Sequence, residues 1–249
     1  MRVTIGSAAL FTQTALPSAR TLPADRALPA VRTLPAVQTL RISEIFHSLQ
    51  GESTRAGLPT VFVRLTGCPL RCTWCDTDHA FTGGESLAIT AILDRVATFA
   101  CPTVCITGGE PLAQGNCPIL LSSLADAGFS VSLETSGALD IGAVDPRVSR
   151  ILDLKAPDSG ESARNRWENL DLLLPSDEIK IVLASRGDYE WAVAACHQRR
   201  LFDRCPVLFS PVRNALPPAQ LAEWILQDRL PVRFQLQLHK VLWGEERGR

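Results

Sequence analysis

Short, almost continuously apolar runs recur along this chain, and they constrain its fold more than any other feature. They are "TVFVRLT" (60–66), "TVCIT" (103–107), "FSVSLET" (129–135), "RILDLK" (150–155), "EIKIVLA" (178–184), "PVLFSP" (206–211) and "VRFQLQLH" (232–239). Between them lie segments with apolar residues at helical spacing: 87–100, 117–128 with a glycine at its end, and stretches near 163–173, 188–200 and 217–228. Strands without polar alternation need cover on both faces. The pattern therefore predicts an α/β fold, a partial (β/α) barrel of about six mostly parallel strands with flanking helices. In such folds sites form at the C-terminal ends of strands. Each unusual segment falls there: a cysteine loop after the first run, "TGGEP" at the end of the second, "ETSG" of the third, "LKAP" of the fourth and "SPV" of the sixth.

The first forty residues differ. "TALPSARTLPADRALPAVRTLPAVQTL" is a six-residue repeat with a proline in every unit. Proline at that interval removes donors and blocks a continuous helix, and six residues are too few for a solenoid unit. Residues 1–40 are expected to be a disordered or polyproline-like extension, and 41–249 a single domain. The formal net charge of −1 carries no nucleic-acid or membrane footprint. There is no apolar run of about 18 residues to cross a bilayer.

The chain has eight cysteines, and no secretory segment opens it. A reducing, cytoplasmic setting follows, where clustered cysteines mean metal or catalysis more often than disulfides. Cys101, Cys105, Cys117, Cys196 and Cys205 sit in apolar surroundings and read as buried small hydrophobes. Cys68, Cys72 and Cys75, in "GCPLRCTWCDTD", fall at C-x3-C-x2-C spacing with no fourth cysteine close behind. One reading is a Cys3His zinc site completed by His79. The other is a four-iron (4Fe-4S) cluster held by three thiolates, one iron keeping an open position, with Leu70 and Trp74 as a shield against water.

The C-x3-C-x2-C loop after the first strand resembles the signature of the radical S-adenosylmethionine superfamily, and "TGGEP" (107–111) resembles its glycine-rich motif. More narrowly, "IFHSLQGEST", "AGLPTVFVRLTGCPLRCTWCDT", "ETSG", "DLK" and "QLHKVLWG" are similar to the 7-carboxy-7-deazaguanine synthase (QueE) family across roughly residues 42–243. Some members carry an insertion between the first two cluster cysteines; this chain has the short spacing. The resemblance implies ring contraction of 6-carboxy-5,6,7,8-tetrahydropterin to 7-carboxy-7-deazaguanine with loss of ammonia, in queuosine-type 7-deazapurine biosynthesis. It implies a 4Fe-4S cluster, S-adenosyl-L-methionine and Mg2+ as cofactors. It further implies a reductant such as flavodoxin or ferredoxin and a homodimer.

Site residues carry over position by position. Cys68, Cys72 and Cys75 would hold the cluster and be catalytic. Thr77 offers Mg2+ a hard oxygen, although a turn-capping threonine looks the same. Leu49, Gln50, Gly51 and Glu52 of "LQGE" would bind the pterin. A carboxylate at Glu52 matches the adjacent N–H donors of the amino-pyrimidinone, although an exposed loop acid is the plain alternative. Arg64 is placed to grip the substrate carboxylate bidentately, or to face water at a strand end. Thr107 would meet substrate from a strand tip, and His239 would pack on the pterin ring or serve as an ordinary strand-end residue. Trp74, Cys75, Asp76, Gly109, Glu134, Asp153, Leu154, Lys155, Ser210 and Pro211 would bind S-adenosylmethionine. Gly108 and Gly109 would let backbone approach its methionine part. Asp153 and Leu154 depart from the family's Ser-Pro-Lys, so backbone contact is expected there, and Glu134 is otherwise a buried acid capping a turn. Two other readings remain, a glycyl-radical activating enzyme and a non-catalytic zinc-stabilised binding module.

Overall fold

The computed structural model describes residues 38–244, 246 and 248. The expected extension therefore lies outside the described residues, except that Thr39 and Leu40 belong to the first strand rather than to the extension. Nine strands form one sheet: β1 (Thr39–Leu49), β2 (Pro59–Leu65), β3 (Glu85–Ala88), β4 (Thr103–Gly108), β5 (Ser130–Thr135), β6 (Ser149–Lys155), β7 (Glu178–Leu183), β8 (Val207–Pro211) and β9 (Arg233–Phe234). Their order is β3-β1-β2-β4-β5-β6-β7-β8-β9. From β2 to β9 along that order every pairing is parallel, whereas β1 pairs antiparallel with both β2 and β3. Among the described residues the sheet does not close, as a partial barrel requires, but it has nine strands where about six were expected.

The crossovers are α1 (Ile89–Ala97), α2 (Cys117–Asp126), α3 (Arg186–Gln198) and α4 (Pro218–Gln227), with a short α5 (Leu238–Trp243) at the end. Ser185 caps α3 by accepting the Asp188 N–H at 3.2 Å. The core lies between sheet and helices: Val61, Val63, Leu65, Val104, Ile106 and Leu133 from the strands meet Ile92, Val96, Leu120, Leu121 and Leu124 from α1 and α2. Each such buried side chain contributes about 1.5–3 kcal/mol. The five cysteines outside the loop are buried, as their surroundings predict. Among the described residues no helix is long and apolar enough to cross a membrane.

Two segments differ from expectation. Residues 163–173 are not an α-helix but two 3-10 turns, Ser162–Arg164 and Trp167–Leu172. Asparagine side chains recruit this stretch for backbone elsewhere. Asn165 bonds both the N–H and the C=O of Lys155, and Asn169 donates to the carbonyls of Gly137 and Leu139. The expected strand 232–239 is paired only at Arg233–Phe234. Gln235 N–H still bonds the Phe209 carbonyl at 2.9 Å, but the ladder stops there, short of the end of β8, and His239 sits in α5 instead.

Candidate active site

A cavity of about 430 Å3 opens among the segments that follow the strands, within the range of small-molecule sites. Cys68, Leu70, Cys72, Trp74, Cys75, Asp76 and Thr77, all on the loop after β2, line it. That loop is fixed through its backbone. Gly67 N–H bonds the Ala80 carbonyl at 2.8 Å, and Thr73 N–H bonds the Ser159 carbonyl at 3.0 Å, beyond β6. Arg71 stacks on Phe81 at 4.2 Å and donates to the carbonyls of Cys68 and Leu70 at 2.8 and 2.6 Å. Cys68 and Cys72 are half-buried and Cys75 is exposed; all three are free thiols. Burial pushes the Cys68 and Cys72 thiols up. Among the described residues no three His, Cys, Asp or Glu side chains come together as a single-ion site. His79 Nε2 is buried without a hydrogen-bond partner, 3.8 Å from Glu44 Oε1. Three thiols spread around one end of a cavity suit a polynuclear cluster better than a Cys3His zinc.

The "TGGEP" motif braces this loop. A Cβ on Gly108 would lie 2.3 Å from the Leu65 carbonyl oxygen, and one on Gly109 would lie 2.3 Å from the Gly67 oxygen and 2.7 Å from Cys68 Cβ. Gly109 N–H bonds the Leu65 carbonyl at 3.2 Å and Glu110 N–H that of Gly67 at 2.8 Å. So the glycines first of all let the cysteine loop pack against β4. Glu110, fully buried, then ties β4 to β5: it accepts from Leu112 N–H at 3.0 Å, Thr135 Oγ1 at 2.9 Å, and Ser136 N–H at 2.7 Å.

The loop 50–58, between β1 and β2, carries a second set of groups to the cavity. Gln50 donates to Glu134 Oε1 at 3.3 Å and accepts the Glu52 N–H at 3.2 Å, while Thr107 Oγ1 donates to Glu134 Oε2 at 3.0 Å. Glu52 pairs with Lys180, Lys180 lies 3.4 Å from Asp153 Oδ2, and Lys155 lies 3.1 Å from the same oxygen. Burial works against both the Lys180 and the Asp153 charge. Glu52 and Asp153 more than offset it for Lys180, whose pKa is raised well above the ordinary lysine value. The two lysines likewise hold Asp153 below the usual carboxylate range. Asp153 Oδ1 is buried with no hydrogen-bond partner, an acceptor for a ligand's donor.

The chain's end straps these parts together. Leu238 N–H bonds the Gly51 carbonyl at 2.9 Å, across the gap that strand pairing leaves open. Gln237 Nε2 donates to Glu52 Oε1 at 2.7 Å and reaches Asp76 Oδ2 at 3.4 Å, and Lys240 pairs with Asp76 at 2.6 Å. Burial opposes the Asp76 charge, but Lys240 and the Thr77 hydroxyl more than offset it and hold the carboxyl well below its usual range. Burial pushes the His239 imidazole down, so the ring is neutral at pH 7. Arg64 bonds Glu44 through Nε at 2.6 Å and lies 5.9 Å from the Phe46 ring.

Of the residues singled out from the sequence, Leu49, Gln50, Gly51, Glu52, Arg64, Trp74, Thr107, Gly109, Glu134, Asp153, Lys155 and His239 line the cavity with the three cysteines, Asp76 and Thr77. Leu154, Ser210 and Pro211 are buried and do not line it. Leu154 belongs to the core cluster, and Ser210 Oγ is buried without a partner. Sequence reasoning missed Lys180, Glu110, Gln237 and Lys240. Lys180 had a signal: a lysine inside the apolar strand "EIKIVL" is rarely buried without a carboxylate to meet it.

Residues 62–198 match the family model described as Radical SAM superfamily. The 7-carboxy-7-deazaguanine synthase of Chlorobaculum tepidum is 48% identical over 210 residues, 83% of this chain and 96% of that one. That of Koribacter versatilis is 42% identical over 222 residues, 83% of this chain and 98% of that one. The crystal structure of QueE from Escherichia coli aligns with TM-score 0.64 at 24% identity, over 81% of this chain and 95% of that chain, a likeness of fold. With a three-thiol loop braced by a double glycine and a charged cluster lining the same cavity, the chain belongs to the radical SAM superfamily and, within it, to the 7-carboxy-7-deazaguanine synthase family.

Proposed function

We propose that this protein contracts the ring of 6-carboxy-5,6,7,8-tetrahydropterin to 7-carboxy-7-deazaguanine with loss of ammonia. The observation that carries this reading is the meeting, in one cavity, of the Cys68–Cys72–Cys75 loop with a carboxylate, Glu52, whose orientation is already set by Lys180 and Gln237. Cys68, Cys72 and Cys75 would hold a 4Fe-4S cluster, and Thr77 would offer its hydroxyl to Mg2+. When bound, the cluster and S-adenosylmethionine supply the radical chemistry that breaks the C6–H bond of the pterin.

The protein's own work is binding, orientation and exclusion of water. Glu52 accepts the adjacent N–H donors of the pterin's amino-pyrimidinone edge. Arg64, its Nε engaged by Glu44, turns its terminal amino groups to the substrate carboxylate. Thr107 and the neutral His239 flank the ring. On the cofactor side, Asp153 Oδ1 takes a donor from S-adenosylmethionine, Lys155 and Asp76 contribute charge, and Gly109 keeps backbone close. Glu134, bonded to Gln50 and Thr107, fixes the boundary between the two ligands. Leu154, Ser210 and Pro211, which do not line the cavity, have no binding role in this reading. A homodimer, a flavodoxin- or ferredoxin-type reductant and a cytoplasmic setting complete the reading.

The test is direct. Anaerobically reconstituted protein, brown and holding about four irons per chain, is incubated with the carboxytetrahydropterin, S-adenosylmethionine, Mg2+ and dithionite. The expected result is 7-carboxy-7-deazaguanine by liquid chromatography and mass spectrometry. Iron-loaded protein that forms none would falsify the substrate assignment, and a colourless protein retaining zinc would sink the cluster as well.

A further inference from the structure

Lys180 has no part in the binding roles assigned above except to hold Glu52 in place, yet it is the most enclosed cation of the cavity. Its side chain is 11% exposed, and its ammonium faces two carboxylates at once: Glu52 Oε2 in direct contact and Asp153 Oδ2 at 3.4 Å. Those carboxylates come from different parts of the chain, the loop after β1 and the strand β6, and they serve different ligands in the reading above.

A carboxylate offers about four lone-pair directions. On Glu52, Lys180 takes one from Oε2 and Gln237 takes one from Oε1, at 2.7 Å. One direction is left on each oxygen, which makes Glu52 a two-point acceptor for two adjacent N–H groups. Asp153 is held in the same manner. Lys155 and Lys180 share its Oδ2, while Oδ1 stays buried without a partner. Both carboxylates are thus held from behind by one ammonium and each keeps an acceptor free.

We infer that Lys180 is a positioning residue that couples Glu52 to Asp153, so that the pterin and S-adenosylmethionine bind with positive cooperativity. A donor bonded to Asp153 Oδ1 fixes that carboxylate, and through the shared ammonium it fixes Glu52; the ordering cost is then already met when the second ligand arrives. The inference rests on the substrate reading above.

The experiment is calorimetric titration of the reconstituted protein with carboxytetrahydropterin, with and without saturating S-adenosylmethionine. No reductant is added, so nothing turns over. Wild-type protein is expected to bind the pterin about 10-fold more tightly when S-adenosylmethionine is present. Lys180→Arg keeps a cation and should retain a ratio well above one. Lys180→Met should weaken the pterin in both conditions and bring the ratio to about one. If that variant does not fold, Lys180→Gln, which keeps a donor but no charge, should give the same ratio of about one. Wild-type affinity that S-adenosylmethionine leaves unchanged, or a neutral variant that keeps the wild-type ratio, overturns the coupling alone. A wild-type protein that binds no pterin at all overturns the substrate reading, and the coupling with it.

Discussion

On the loop after β2, Cys75 is exposed and Cys68 and Cys72 are half-buried, held in place by the backbone around them. On the loop before β2, Glu52 is bonded to Lys180 and Gln237, and Lys180 in turn reaches Asp153. The thiols have neighbours that fix where they sit but no side chain that satisfies what they can bind. The charged groups are already paired with one another, although Asp153 Oδ1 still lacks a partner. The first region gains its purpose from what is added to it, whereas the second is partly ordered by its own ion pairs and completes its ordering when a first ligand arrives. The two should therefore fail differently when disturbed, one through loss of a cofactor and the other through loss of affinity.

Cys72→Ala gives the sharpest break. Iron content should fall and turnover should drop below detection. The melting temperature should move by no more than about 2 °C, because a half-buried thiol on a backbone-anchored loop carries little stability. A folded variant that keeps wild-type iron and activity would show that this thiol is not a cluster ligand.

Gly109→Ala and Gly51→Ala sharpen the contrast. A Cβ on Gly109 meets backbone, the Gly67 oxygen at 2.3 Å, which cannot move without shifting the cysteine loop. The expected cost is about 1–3 kcal/mol, read by chemical denaturation, together with incomplete iron loading. The nearest atoms to a Cβ on Gly51 belong to a single side chain, His239, with Nδ1 at 2.1 Å, Cγ at 3.0 Å and Cβ at 3.2 Å, whose ring can turn aside. Stability should fall by less than about 1 kcal/mol, iron should load fully, and KM for the pterin should rise several-fold. Equal iron contents in the two variants would erase the distinction between the regions.

The thiol region was legible because it lies where apolar strands stop, and strand ends are easy to find in "TVFVRLTG" and "TVCITGG". What escaped has local causes. β1 was not foreseen because its register shifts between Ile42 and Glu44, so the buried positions run Leu40, Ile42 and then Ile45, and the two-residue alternation that marks a half-buried strand is broken. The strand expected at 232–239 has the right alternation, but its ladder stops at Gln235, and a ladder cannot be read from one strand alone. The cavity role of Gln237 and Lys240 follows from that same unpaired segment folding across to Gly51 and Asp76. The glycines of "TGGEP" were attributed to ligand approach. Their closest neighbours turn out to be the protein's own Leu65 and Gly67 carbonyls, a contact between segments forty residues apart that no local pattern announces.

The smallest effect expected is chemical rather than functional, and it separates the loop from the core by thiol reactivity. Thiolate, not thiol, attacks an alkylating agent. Burial pushes the Cys196 and Cys205 thiols up to about 12. At pH 8 a group of that pKa is ionised in only about one molecule in 10,000, and raising the pH by one unit increases that fraction only about tenfold. Cluster-free protein treated briefly with iodoacetamide at pH 8 should therefore be modified first at Cys75, which is exposed, then at Cys72 and Cys68, whose thiols burial raises. Cys196 and Cys205 should remain free until denaturant is added. Peptide mapping by mass spectrometry reads the order, and the loaded protein serves as the control, because ligation should shield the three loop thiols while leaving the core pair as unreactive as before. Modification of Cys196 at the rate of Cys75 in folded protein would mean that the core opens as readily as the loop, and the contrast between a finished interior and an unfinished loop would not hold.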